Sequence, residues 1–301
     1  MSIRFKYLFF FLLLITALVW ITVITYSNQN LKLIACDVGQ GDAILAIYGK
    51  TQILIDGGPN NRVLDCLSRY MPFWDRNVEM VVLTHPQTDH YMGLIEVFNK
   101  YEVEVFLANA LDSSSQSYQV LKERVGSKGV KVVNPRSGMK VRVGLIHLDI
   151  LHPSMQYILS ETVRAGESKD SFNGVLGAFT SSRDPNEFSV VVILSYKNFD
   201  ALMTGDIGPK EIDQIISTGK MRDIDYLKVP HHGSKNGLTE ELLEVSKSEV
   251  AVISSGKNNS YGHPHEETLK ILKDKDIRIL RTDEIGDIII ETDGQKTLMR
   301  K

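Results

Sequence analysis

The first apolar run in the chain has no period. Residues Tyr7–Thr25 carry no charge and are dominated by Phe, Leu, Ile and Val, so a helix built from them is apolar on every face. Its length is close to the roughly 20 residues that cross a bilayer. Arg4 and Lys6 precede it, which keeps the N-terminus cytoplasmic and sends the remainder outward. The flank Tyr26-Ser27-Asn28-Gln29-Asn30 lacks the small-x-small site of a cleaved leader. The expectation is an uncleaved single-pass anchor over residues 1–30, transmembrane at about 7–25, in the cell membrane.

From Leu31 onward the pattern breaks into short apolar or alternating runs. It predicts strands at Leu31–Asp37, Ala43–Tyr48 and Gln52–Asp56, a helix at Asn61–Tyr70, a strand at Met80–Leu83 and a helix at Tyr91–Tyr101. Strand Val103–Ala108, helix Ser117–Gly126 and strands near Val130–Val133, Lys140–Val143 and Ile146–Leu151 follow. The second half continues with strands Phe188–Tyr196 and Ala201–Thr204, helix Pro209–Ser217, strand Tyr226–Val229 and helix Thr239–Lys247. Strand Val250–Ser254, helix Glu266–Lys273 and strands Ile277–Leu280 and Ile288–Thr292 complete it. Strands gathered first and helices interleaved later, in two similar halves, predict two packed sheets with helices outside. Ser154–Pro185 is polar and aperiodic, and reads as a surface excursion near the site.

Composition changes this picture little. With 301 residues, 43% hydrophobic and 24% charged, the chain can bury a full core. A net charge of −3 gives no reason to expect tight nonspecific nucleic-acid binding. It leaves room for an enzyme that handles a phosphodiester through metal ions, which bring positive charge locally. Cys36 lies in an apolar strand-like run and Cys66 in a helical one, both outside any CxxC spacing. They are expected as buried thiols, with a single disulfide as the alternative if the domain is exported.

Candidate chemistry sits at strand ends. Thr84–Gly93 reads T-H-P-Q-T-D-H-Y-M-G, which crowds His85, Asp89 and His90 between a strand and a helix. Asp206 follows a strand in Met203-Thr204-Gly205-Asp206, His231 and His232 follow another, and His152 ends a third. Four strands thus deliver imidazoles and carboxylates, the donors of zinc- or manganese-like ions, at the ends where α/β folds collect their sites. His147 alternates within a strand and reads as solvated or packed. Asp37 and Asp42 flank glycines and read as turn-fixing carboxylates, and Asp56 as support behind the ligands.

These motifs resemble those of metallo-β-lactamase-fold hydrolases, and within them the hydrolase domain of ComEC-type competence proteins. The resemblance rests on Asp37-Val38-Gly39-Gln40-Gly41-Asp42-Ala43, Ile55-Asp56-Gly57-Gly58 and Lys228-Val229-Pro230-His231-His232-Gly233-Ser234. Tyr261-Gly262-His263-Pro264 and Arg281-Thr282-Asp283-Glu284 extend it. It implies a four-layer αββα fold over residues 31–301, following the one N-terminal transmembrane helix expected from the apolar run, and a pair of divalent ions, zinc or manganese. Carried over position by position, His85 binds the first ion, Asp89 with His90 the second, Asp206 bridges them and His232 is the late ligand. His152 is the remaining candidate, with Asn186 competing for that role. One departure stands out: H-x-H-x-D-H would place histidine at 87, and this chain has Gln87, either a weaker oxygen ligand or a group that orients water.

Together with the expected anchor, the resemblance implies a membrane-anchored, extracytoplasmic phosphodiesterase acting on DNA. Asp89 would stand at the reacting centre, and His231 or His263 would protonate the leaving group. His263 also reads as a turn residue before a helix. Two alternatives stay open. One is a hydrolase of another envelope substrate, such as a choline-phosphate ester, lactone or thioester. The other is a non-catalytic surface domain whose first metal site Gln87 has impaired.

Overall fold

A computed structural model describes residues 3–25, 30–161 and 174–300, with side chains described over 5–21, 30–161 and 174–299. In chain order it builds helix α1 (Ile3–Thr25), strands β1 (Leu31–Ala35), β2 (Ile44–Tyr48) and β3 (Thr51–Ile55), then α2 (Arg62–Tyr70) and β4 (Asn77–Leu83). Next come α3 (Thr88–Lys100), β5 (Glu102–Ala108), α4 (Gln116–Lys128), β6 (Lys131–Val133), β7 (Lys140–Val143), β8 (Ile146–His152) and α5 (Met155–Glu161). They are followed by β9 (Val191–Tyr196), β10 (Phe199–Met203), α6 (Pro209–Ser217), β11 (Tyr226–Lys228), α7 (Glu240–Ser246) and β12 (Val250–Ile253). The last are α8 (Glu266–Asp274), β13 (Arg278–Arg281), α9 (Thr282–Ile285), β14 (Ile288–Thr292) and β15 (Thr297–Arg300).

The strands form an eight-stranded sheet, β15-β14-β1-β2-β3-β4-β5-β6, and a seven-stranded sheet, β13-β12-β11-β10-β9-β8-β7. Strand alternation sends successive side chains to opposite faces, and here both faces are buried. Leu31, Leu33 and Ala35 of β1 share one core between the sheets with Leu148, Leu194 and Met203 of the second sheet. Ile34 points the other way, onto Val63 and Leu67 of α2 and Leu94 and Val97 of α3. The second sheet repeats this, with Leu202 and Leu227 packed on Ile212 of α6, Leu242 of α7 and Leu269 of α8. The four expected layers, helix–sheet–sheet–helix, are therefore present.

Both sheets are mixed. β3, β4 and β5 run parallel, and β1 shares their direction because β2 is antiparallel to both β1 and β3. The loops after β1, β3 and β4 consequently gather at one edge of the first sheet. By the same reasoning β8, β10, β11 and β12 all end at one edge of the second.

Besides the short α9 and β15, which the pattern does not predict, three features depart from it. α3 starts at Thr88, not near Tyr91, because the Gln87 carbonyl already accepts the His90 and Tyr91 amides; Asp89 and His90 thus occupy its first turn. The polar excursion contains α5, whose Tyr157 and Ile158 pack with Phe179 and Phe188 in a small separate cluster; residues 162–173 of that stretch lie outside the described residues. Finally, Cys36 and Cys66 are bonded to each other, so the expectation of thiols is corrected. Cys36 shares the helix-facing side of β1 with Ile34, and α2 lays Cys66 over it with the Cα atoms 5.9 Å apart.

Along α1, the apolar side chains from Phe5 to Ile21 are mostly exposed. Among the described residues no helix is long and apolar enough to cross a membrane.

Reduction of the disulfide, or Cys66→Ala, is expected to cost about 3–4 kcal/mol, the loop-closure entropy of a 30-residue separation. Denaturant titration with and without reductant measures it.

Candidate metal centre

The site forms where the gathered edges of the two sheets meet, and its first constraint is a carboxylate. Asp56, just past β3, accepts the Thr84 amide at Oδ1 and the Thr84 hydroxyl at Oδ2, both at 2.8 Å. That staples the end of β3 to the end of β4. The same Oδ2 takes a hydrogen bond from His90 Nδ1 at 2.9 Å and so fixes that ring. α3 delivers His90 and Asp89 from close range, because Gly93 lets the helix lie against the loop after β3. A Cβ there would sit 2.1 Å from the Gly57 carbonyl oxygen.

The other imidazoles are held in the same manner. His85 Nδ1 is 3.0 Å from Thr84 Oγ1, which already donates to Asp56 and is left to accept. Ser189 Oγ lies 3.2 Å away on the other side and accepts the Asp206 amide. His232 Nδ1 donates to the Ser254 carbonyl at 2.9 Å, from a left-handed backbone at φ 54°. Each ring is thus tethered by Nδ1. The Nε2 atoms of His85, His90 and His232 are all buried and make no hydrogen bond.

Around those bare nitrogens stand two carboxylates. Asp206 Oδ2 is 3.3 Å from His90 Nε2 and 3.2 Å from His232 Nε2, while Asp89 Oδ2 is 3.4 Å from His232 Nε2. One donor atom from each of Asp89, His90, Asp206 and His232 falls within 4.8 Å of every other. His85 adjoins them, its ring 4.1 Å from that of His90. Buried imidazole nitrogens that make no hydrogen bond, mixed with carboxylate oxygens, are the donor set of a divalent transition ion. The residues fit such a group.

Charge at the site is unbalanced. Asp42, Asp56 and Asp206 are all buried. Burial favours the neutral form of Asp206, yet His232, His90 and Lys228 outweigh it and hold the carboxyl well below its ordinary range. Burial likewise works against protonation of His90 and His232, but Asp206 with Asp56, or with Asp42, lifts both imidazoles well above theirs. Lys228 is buried among these acids. Its ammonium bonds Asp42, donates to the Gly205 carbonyl at 3.0 Å and lies 3.4 Å from Asp206 Oδ1. Burial would raise the Asp42 carboxyl, but Lys228 and His232 bring it down to about 2.

Residues 36–257 match the sequence profile of the metallo-beta-lactamase superfamily. The chain belongs to that superfamily. ComE operon protein 3 of Bacillus subtilis is 25% identical over 278 residues, covering 84% of this chain and 32% of its own length. Recombination protein 2 of Haemophilus influenzae is 25% identical over 250 residues, covering 82% of this chain and 27% of its own. Both are ComEC-type competence proteins, and this chain spans about a third or less of their length. Among solved structures, the metallo-beta-lactamase fold protein YhfI of Bacillus subtilis superposes with a TM-score of 0.54 at 12% identity, over 87% of this chain and all of that one.

Other residues expected at the metallo-beta-lactamase centre lie elsewhere. Gln87 turns outward, its amide donating to Asp184 Oδ1 at 3.1 Å. His152 is buried, but its Nε2 pairs with the Glu187 carbonyl at 3.0 Å and its ring rests on Tyr157, 5.0 Å between centroids. The structure gathers neither with the four-residue group. Asp184 caps the turn that holds Asn186 by accepting its backbone amide at 3.0 Å, and Asn186 Oδ1 is buried without a hydrogen bond. His231 and His263 stand at the mouth, rings 5.6 Å apart, with His263 also 6.3 Å from His232. Burial lowers both, and with the neighbouring imidazoles of His232 and His231 it takes His263 to about 4. His147 is exposed on β8.

Two residues were not anticipated. Asp42, read as a turn-fixing carboxylate, is a buried partner of Lys228, with Oδ1 3.4 Å from His232 Nδ1. Lys228 itself left a signal: one charge inside an otherwise apolar strand that ends at the histidine pair. Asp37 does fix its turn, accepting the Gly39 amide and pairing with Arg62 at 2.9 Å.

Burial holds the His152 imidazole down at about 3, against 6.5 in the unfolded chain. Between those values the unfolded state binds a proton the native state refuses, so stability is complete above pH 6.5 and is lost as pH falls toward 3. The slope is up to about 1.4 kcal/mol per pH unit. His152→Gln is expected to remove that component from a plot of Tm against pH.

Proposed function

We propose that the chain is a metal-dependent phosphodiesterase that cleaves DNA at the outer face of a membrane. One observation carries the hydrolase reading: His90 and His232, tethered by Nδ1, present Nε2 atoms that make no hydrogen bond to a space shared with the Asp89 and Asp206 carboxylates, and the His85 ring adjoins that of His90. Divalent ions held there supply Lewis acidity toward a phosphoryl oxygen and lower the pKa of water. Asp89, His90, Asp206 and His232 make the tighter seat. His85 with Asp206 makes a second, weaker one, because Gln87 is turned to Asp184. Zinc and manganese both suit this donor set.

The protein's own groups do the remaining work. Asp206 Oδ2 stands between two imidazoles, while Lys228 and the Gly205 turn keep its other oxygen occupied. His231 and His263 are neutral near pH 7, so they serve the departing oxygen as hydrogen-bond donors rather than as standing acids. Tyr261, two-thirds exposed, stacks on His263 at 5.7 Å and 24° and offers an open face to a nucleobase. The competence relatives favour DNA as the phosphodiester. The all-apolar run of α1 supports the membrane anchor, and the Cys36–Cys66 disulfide is the state expected outside the cytosol. Gln87's outward turn favours a second reading, a surface domain without turnover.

Three outcomes test this. Dialysed protein should keep one ion per chain and take a second only with added zinc or manganese, read by elemental analysis. No bound ion would sink the hydrolase. Asp89→Ala should cut nucleotide release from DNA at least about 100-fold, since even groups behind the ligands are worth 10- to 100-fold. Metal-loaded protein that leaves DNA intact while cleaving other esters would overturn the substrate. Tyr261→Ala should raise KM for DNA roughly 5- to 100-fold, the worth of one stacked base, with kcat little changed.

A further inference from the structure

Far from the metal centre, two large aromatic rings stand in solvent. Phe73 is 81% and Trp74 68% exposed, and they pack edge to face with centroids 4.7 Å apart. They lie between the end of α2 and Asn77, the first residue of β4. A pair of this size, turned outward, is costly to leave in water. Exposed aromatic pairs that are amphipathic through an indole N–H belong to the headgroup level of membranes.

Topology says which surface covers them. β1 and β4 run in the same direction in the first sheet, so Leu31 and Asn77 both start at the edge opposite the ligands. Three strand spacings separate β1 from β4, about 14 Å. The chain enters β1 directly from α1, and between Thr25 and Asn30 it reaches at most about 18 Å even fully extended. Asn30 is itself tied to the body, its side-chain amide donating to Glu291 Oε1 at 3.1 Å. Whatever surface α1 emerges from is therefore held close to this edge. Exposed Lys50, in the turn between β2 and β3, and Lys100, at the end of α3, start from the same edge and suit anionic headgroups.

We propose that Phe73 and Trp74 insert at the lipid headgroup–acyl boundary beside the emerging anchor and fix the domain's tilt, with the metal centre facing away from the bilayer. This deepens the membrane-anchor reading of α1 and rests on it. The length of β4 sets the height: at about 3.3 Å per residue, its seven residues put the ligands some 23 Å from the lipid-facing edge.

The test uses the full chain in vesicles of phosphatidylcholine and phosphatidylglycerol. The chain has two tryptophans, Trp20 and Trp74, so Trp20→Phe and Trp74→Phe each leave a single reporter. Trp74 should be at least roughly twofold more quenched by lipids brominated near the headgroup than at mid-chain, the depth of an aromatic belt. Phe73→Ser should weaken that quenching, while metal content stays unchanged. Trp74 emission untouched by any brominated lipid, with Trp20 quenched, overturns the proposal and leaves the anchor standing. Neither reporter quenched overturns both. Shielding of Trp74 that vanishes when vesicles carry one chain each identifies a second copy as the occupant and also overturns it.

Discussion

Acidic charge buried where two sheets meet governs this structure. Asp42, Asp56 and Asp206 are out of water, and unpaired carboxylates in such a place would be severely penalised. The fold answers with Lys228, with the imidazoles of His90 and His232, and with the Thr84 backbone amide at Asp56. These partners come from strands of both sheets and from α3. Neutralising the acids therefore fixes how the two halves meet. The same arrangement leaves three Nε2 atoms without a hydrogen bond, so the room for a cation is a by-product of how the core is assembled.

Much of this was legible along the chain because of where the charged residues fall. His85, Asp89, His90, Asp206 and His232 each follow an apolar run closely, and a strand end leaves a side chain few directions to point. What failed to show was pairing across distance. Lys228 and Asp42 are far apart in sequence, and a lone lysine in a strand does not say which acid it meets. Gln87 and His152 look like ligands by position. Their side chains are claimed instead by Asp184 and by the Glu187 carbonyl, in the excursion whose conformation no periodicity reports and the turn that follows it. The short elements α5, α9 and β15 escape the pattern, α5 because it lies in the polar stretch after Ser154 where no period shows.

Helix α3 shows how small residues serve large consequences. Its first turn supplies Asp89 and His90, and Gly93 one turn later brings the helix against the loop after β3. Gly205 plays the equivalent part beside Asp206, where φ is +56° and a Cβ would meet Ser189 at 2.8 Å. Ligands drawn from a helix and from strand ends can converge only if backbones approach this closely. The metallo-beta-lactamase architecture thus depends on absent side chains as much as on those that hold charge.

The cross-link between β1 and α2 has a bearing on the loop between β1 and β2. Cys36 immediately precedes the loop that carries Asp42, and α2 also provides Arg62, the partner of Asp37 in that loop. Sulfur bond and ion pair clamp the segment against one helix. In a thiol-rich interior the covalent half of that clamp would be open and the loop slacker. The redox state of two sulfurs outside the metal centre thus bears on how firmly the loop carrying Asp42 is held.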